Sequence, residues 1–280
     1  MRGLLRDGRA RFGMIVLAIA LLTALAAPLA TTIGPATQRD VVATRFLPPL
    51  ATDLHGIWHP LGTDRLGRDV WSRLVYGARV SLGVGLLAVL ISTVLGIGVG
   101  TAAGVWRGPV RGVLLGITDF TLALPRVVLL LLLAALWRPS AALVIIVLGL
   151  TGWMSVARLV YGESRVVMAR AFVDGAYALG ASRRRVLVRH VLPNALTPAL
   201  VAAALGFGNA IMLEAGLSFL GVGVQPPAPS WGSLIASGRE TLINAPWVAL
   251  APGVALVLVV VASTLLGDSV QEAMERRTGG

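Results

Sequence analysis

Few side chains in this sequence have the chemistry to act on another molecule. They are three histidines, three charges inside apolar runs, and one polar stretch, DGAYALGASRRRVLVRHVLPN, at residues 174–194. His55 and His59 lie four apart in HGIWH, a spacing that could bring two imidazoles to one metal ion. They sit in a loop rich in Pro and Gly, without Cys and without an HExxH pattern, so they read as surface loop residues and no metal site is expected. Ser218 and His190 fall on opposite sides of the membrane in the topology derived below. No nucleophile, base and oxyanion site assembles, and no catalytic residue is expected. No GxxxxGK[ST] loop is present, so the chain is expected to bind no ATP and no other cofactor itself.

The three apolar-run charges are Asp119, Arg126 and Glu214. Charge inside a bilayer is costly and generally faces a cavity or a partner. Asp119 and Arg126 are seven apart, on one helix face but two turns distant, so other spans must supply their partners. Glu214 falls near the end of its run. These three are candidates to line or gate a path across the membrane; hydrogen bonding between packed helices is the alternative.

The polar stretch is punctuated like a hinge. Residues 170–179 predict a short helix, and Gly180 suits the left-handed position just past its end. Ser182 is placed to cap a second helix through RRRVLVRHVL. Pro193 should interrupt helical bonding where the next apolar run begins. In the second helix Arg185 and Arg189 share a face, as do Leu187 and Val191, which suits a connector lying against anionic lipid headgroups. The first helix differs. Past Asp174 it is small and uncharged, and Gly175, Ala176 and Ala178 give it little bulk, which suits insertion into a partner's groove.

The elements that must position these residues are membrane spans. Hydrophobic residues make up 56% of the 280 and charged residues 13%, with mean hydropathy +0.82. Soluble domains carry about 25% charged residues. Six apolar runs of spanning length are read at about 12–33, 80–105, 112–137, 140–160, 196–217 and 246–267. The first follows a basic leader and ends in LAAPLA, like a signal peptide, but its length favours an uncleaved anchor. All 24 basic residues are Arg and the net charge is +11. With the N-terminus in the cytoplasm, fifteen arginines fall inside and eight outside, with Arg126 in a span. That excess sets both termini in the cytoplasm, and sorting by side rather than in one patch excludes a nucleic-acid surface. Gly96, Gly100 and Gly104 give one span a small-residue face for close helix approach. Outside, TDRLGRD at 63–69 either pairs internally or receives a partner, and Trp231 and Trp247 are placed to anchor at headgroup level.

The DGAYALGAS block followed by VLVRHVLPN resembles the cytoplasmic EAA loop of ABC-importer permeases. HPLGTDRLGRDVWSRLVYGARVSL at 59–82, EAGLSFLGVGVQPPAPSWG at 214–232 and LLGDSVQEAMERR at 265–277 resemble further blocks of the second permease subunit of di-/oligopeptide and nickel importers, in that family's order. The resemblance implies an all-α membrane protein of six spans with the type I importer permease fold. It divides into an anchor helix and periplasmic loop, 1–79, and a permease core, 80–280. It implies a coupling loop of Asp174, Gly175, Ala176, Ala178, Leu179, Gly180, Ala181 and Ser182, with Leu192 and Pro193 downstream. Its implied partners are two cytoplasmic ATPase subunits holding ATP and Mg, a paired homologous permease, an extracytoplasmic substrate-binding protein and membrane lipid. One departure stands out: the family's Glu-Ala-Ala is Asp174-Gly175-Ala176 here. A stand-alone ion-coupled carrier is the alternative function, but its usual inverted repeat is not evident.

Overall fold

The computed structural model describes residues 7–278. Helix α1 (Gly8–Leu25) starts on the Asp7 carboxylate, which accepts from the Arg9 N–H, and a short α2 (Ala27–Ala30) follows. Next come α3 (Val41–Thr44) and a small hairpin, β1 (Ala51–Thr52) against β2 (Trp58–His59), with Ala51 opposite His59. Then follow α4 (Val70–Val105), α5 (Pro109–Ala123), α6 (Arg126–Leu136) and α7 (Ala141–Met168). Helices α8 (Ala171–Ala178) and α9 (Arg183–Val186) lead through a π turn (Leu187–Val191) into α10 (Leu192–Phe219). Helices α11 (Trp231–Arg239) and α12 (Trp247–Thr278) complete the described chain.

Among the described residues five helices are long and apolar enough to cross a membrane, and α5 with α6 forms a sixth crossing if the bent pair counts as one. The sequence predicts one helix over 112–137; instead the two halves meet at 80°. Pro125 is the cause. The residue before a proline is pushed out of the helical region, and Leu124 is extended at φ −78, ψ 129. Helix α4 also departs from expectation, starting at residue 70 rather than 80. Asp69 caps it by accepting from the Ser72 N–H at 2.6 Å. At about 1.5 Å per residue its 36 residues reach about 54 Å, well beyond a hydrocarbon core of about 30 Å. Its first turns therefore belong to a cap built from residues 31–69 and 220–246.

The most extensive packing joins α4 to α7. It depends on the predicted small-residue face. A Cβ added at Gly96 would stand 2.5 Å from the Val156 Cβ, and one at Gly100 would stand 2.5 Å from the Ala157 carbonyl oxygen. Lipid is as apolar as a leucine face, so membrane helices associate through such close contact. Helix α1 joins the bundle along α12. Gly13 lies against Ala262, Ser269 Oγ donates to Asp7 at 2.9 Å, and Arg9 donates to both Glu272 oxygens at 3.0 and 2.9 Å. In contrast α5 and α6 are largely uncovered, with Val113, Phe120, Leu132 and Leu136 exposed.

Candidate functional site

The polar stretch folds into an elbow at one end of the bundle. Val173, on α8, is fully buried and packs with Val105 from the end of α4, Val167 from the end of α7, and Val186 and Val191 beyond the turn. Helix α8 ends in a paired backbone closure. The Gly180 N–H donates to Tyr177 O and the Ala181 N–H to Ala176 O, both at 2.9 Å. That Schellman geometry needs a left-handed residue, and Gly180 has φ +81. Ser182 Oγ then accepts from the Arg185 N–H at 3.3 Å, starting α9. The hinge and cap read from the sequence are both present.

Pro193 does not act as predicted. The chain continues helically from Arg183 to Phe219. The π turn just before Pro193 absorbs it: the Leu192 N–H donates to Leu187 O, five residues back. A widened turn shifts the bonding register ahead of a residue that has no N–H to give. Outward from the valine patch, Asp174, Gly175 and Ala178 are exposed, and Leu179 is 90% exposed at the tip. Gly175 has nothing within 4 Å of an added Cβ, so the departure from Glu-Ala-Ala answers no crowding inside this chain.

The three intramembrane candidates separate. Asp119 finds a partner the sequence did not reveal: Arg158 of α7 donates its Nε–H to Asp119 Oδ1 at 3.1 Å. Both side chains are about half exposed. Arg158, counted with the inside arginines although it falls within the run at 140–160, lies on α7. The side chain of Arg126 lies outside the described residues. Glu214 is fully buried and takes the helix-packing role. Its carboxylate accepts from Ser81 Oγ of α4 at 2.8 Å and from Ser218 Oγ of α10 at 2.7 Å. Each hydroxyl in turn accepts a backbone N–H, Trp231 at 3.1 Å and Val224 at 3.0 Å. One carboxylate therefore pins the 220–231 loop to two spans.

The opposite end of the bundle is the cap, and here the readings of His59, Trp231 and Trp247 are corrected, while TDRLGRD takes the first of its two readings. His59 is no surface residue: it is 2% exposed, its Nδ1 is 2.8 Å from Asp69 and its Nε2 is 3.6 Å from Asp53. His55 is exposed as expected. TDRLGRD pairs internally: Asp64 accepts from the Arg68 side chain at 2.8 Å and from the Leu66 and Arg68 N–H groups at 2.8 and 3.0 Å, with Arg73 3.7 Å away. Trp231 is buried, its indole N–H donating to Leu74 O at 3.1 Å, while Trp247 donates to Thr63 O at 3.2 Å. A buried indole seeks a carbonyl, so both rings fasten the cap instead of anchoring in headgroups. Burial alone would raise the Asp53 pKa. The Ile57 and His55 N–H groups, with His59, outweigh it and hold that carboxyl below its ordinary value. No cluster of metal-ligating side chains occurs among the described residues.

The described residues form a multi-pass helical membrane protein with a hydrogen-bonded cap at one end and an exposed helix beside a left-handed glycine at the other. Residues 81–280 match the family described as binding-protein-dependent transport system inner membrane component, and the chain belongs to that family. A Brucella abortus protein named as a putative peptide transport system permease protein is 38% identical over 276 residues, covering 99% of this chain and 90% of its own. The dipeptide transport system permease protein of Alkalihalophilus pseudofirmus is 35% identical over 94% of this chain and 84% of its own. The glutathione transport system permease protein of Pectobacterium atrosepticum is 35% identical over 78% and 72%. The protein is thus a permease subunit of an ABC transport system, working with partner components, and is not itself an enzyme. Nothing in these relationships supports the alternative of a stand-alone ion-coupled carrier.

Proposed function

We propose that this subunit forms half of the pore of a bacterial inner-membrane peptide importer and that its elbow is gripped by a cytoplasmic ATPase. The observation that carries the coupling role is the α8 tip. Leu179 is 90% exposed beside a left-handed Gly180, just past a helix that meets the bundle through buried Val173, with Tyr177 against the same patch and the Phe172 ring against His190. An exposed leucine on a slim, rigidly terminated helix suits a groove in a partner. Peptide as cargo is supported by the names of relatives that cover most of the chain. The arginine excess supports a cytoplasmic elbow and cytoplasmic termini. On this reading ATP and Mg are held by two ATPase subunits and not by this chain. A homologous permease completes the pore, and an extracytoplasmic binding protein delivers cargo at the cap. Arg185 and Arg189, one helical turn apart and both exposed, meet the lipid headgroups.

On this reading residues 1–79 add an anchor and part of the cap to a permease core at 80–280, with α4 running across that boundary from residue 70. A Leu179→Cys variant, crosslinked in native membranes, tests the coupling role. An adduct with an ATP-hydrolysing subunit is expected. Adducts confined to lipid, or labelling of the introduced thiol from the external side of intact cells, would overturn it.

A further inference from the structure

Midway along the bundle, α4, α7 and α10 border an open recess of about 160 Å³ whose polar side chains are Ser92, Thr93, Ser155 and Asn209, the last two exposed, in a lining otherwise made of small and apolar residues such as Ala88, Val89 and Leu148. We propose that this recess is a cargo station on the translocation path, taking a peptide backbone through uncharged hydrogen bonds. The inference rests on the importer reading above and extends it to named residues.

Depth comes first. Ser155 is 14 residues from the start of α7 and 13 from its end, or about 20 Å from either at about 1.5 Å per residue. That lies inside the apolar run read at 140–160, one turn from Arg158, and polar groups at such depth turn inward to a cavity or a partner. Many hydroxyls in the spans bond back along their own helix: Thr101 to Ile97 O, Thr118 to Leu114 O, Thr151 to Val147 O, Ser164 to Val160 O and, in the recess, Ser92 to Val89 O. Such back-bonding is the usual way to satisfy a hydroxyl in a membrane helix. Ser81 and Ser218 donate to Glu214 instead, and among the described residues Ser263 Oγ, like that of Thr93, has no partner. Thr93 is 8% exposed. A buried hydroxyl without a partner calls for one; Thr93 borders the recess, but its Oγ1 is closed to solvent as the helices stand, so a ligand reaches it only when they part.

Continuity supplies the path. Ala202 lines the recess and also a larger cavity of about 510 Å³ toward the elbow, bordered by Leu159, Glu163, Arg170 and Asn194. Ser155, Leu159 and Glu163 follow one another at four-residue steps along a single face of α7. Arg158, paired with Asp119, stands beside that track. The chemistry of the lining selects the ligand. Hydroxyls donate and accept, and the Asn209 amide does both, while none of the recess residues is charged. These four polar side chains can meet the N–H and C=O groups of a peptide, while the apolar remainder of the lining contacts it without charge.

The chain holds no cysteine, so a single introduced thiol reports from one place. Ser155→Cys, Asn209→Cys and a control, Val94→Cys at an exposed position of α4, are placed in the assembled transporter in nanodiscs. They are treated with a membrane-impermeant cationic methanethiosulfonate, without nucleotide and with ATP trapped. The thiols at positions 155 and 209 are expected to react in at least one state, while the control thiol at position 94 does not. Trialanine supplied with the binding protein should slow their reaction at least fivefold. Separately, Asn209→Leu should raise the KM for trialanine uptake about fivefold to tenfold, the loss of one hydrogen bond, with a smaller change in maximal rate. No reaction in either state would mean that a partner helix or lipid fills the recess, and reaction indifferent to trialanine would make it aqueous but not a station; either overturns the proposal. Wild-type transporter that moves trialanine while these arms fail sinks the recess alone. Wild-type transporter that moves no peptide sinks the importer reading and this proposal together.

Discussion

The cap and the elbow hold together by opposite means. In the cap the fastenings are directional and charged: Asp64 with Arg68 and Arg73, His59 with Asp69, and indole N–H groups aimed at single carbonyls. In the elbow five valines meet in one apolar patch, and the described hydrogen bonds are largely those of its own turns. Directional bonds resist every displacement, because a small shift strands a buried polar group. Apolar contact resists separation but tolerates sliding. One end is built to keep its shape, and the other to be moved as a unit.

Four measurements can break or sharpen that contrast, in falling order of effect on stability. Asp64→Ala leaves two largely buried guanidiniums without their carboxylate. Breaking a buried pair typically costs about 3–5 kcal/mol, so limited proteolysis of the purified transporter should open the cap between residues 31 and 69. A cap as resistant as wild type would remove the charged lock from the comparison. Gly180→Val forces a β-branched residue to φ +81, costing about 1–2 kcal/mol. The elbow should loosen locally, raising ATP hydrolysed per cargo moved, with the cap unchanged to protease. Acid should act on the cap first. The Asp53 carboxyl is held low in the fold, so its contribution is complete above the unfolded pKa, near 3.8, and is lost as pH falls through the lower folded value. Hydrogen exchange at Ile57 should rise in that window while exchange at Val173 does not. Leu179→Ser, at an exposed tip, should change stability least, within about 0.5 kcal/mol by thermal unfolding, yet uptake should fall sharply. Normal uptake would mean the tip is not gripped.

Local rules carried the elbow. A Gly two residues before a Ser, ahead of a basic helix, specifies its own hinge and cap, and both are where the residues place them. What could not be read depended on distance along the chain. Asp119 and Arg158 are 39 residues apart, and nothing near either announces the other. His59 reads as loop because its burial is made by Asp69 and Asp53, contributed by separate turns. The early start of α4 had a signal, since Asp69 precedes a helical run, but Arg73 and Arg79 made that run look like surface. The break in 112–137 also had one, Leu124-Pro125, hidden by unbroken hydropathy on both sides. Pro193 misled for the reverse reason: a proline removes one bond, and a turn wide enough to shift register can restore the path.

Helix α4 runs without interruption from Asp69, seated beside His59, to Val105, seated beside Val173. It is a single shaft with a socket at each end. On the proposed function, if a partner at each end prefers one setting of this shaft, each must alter the other's affinity by the same factor.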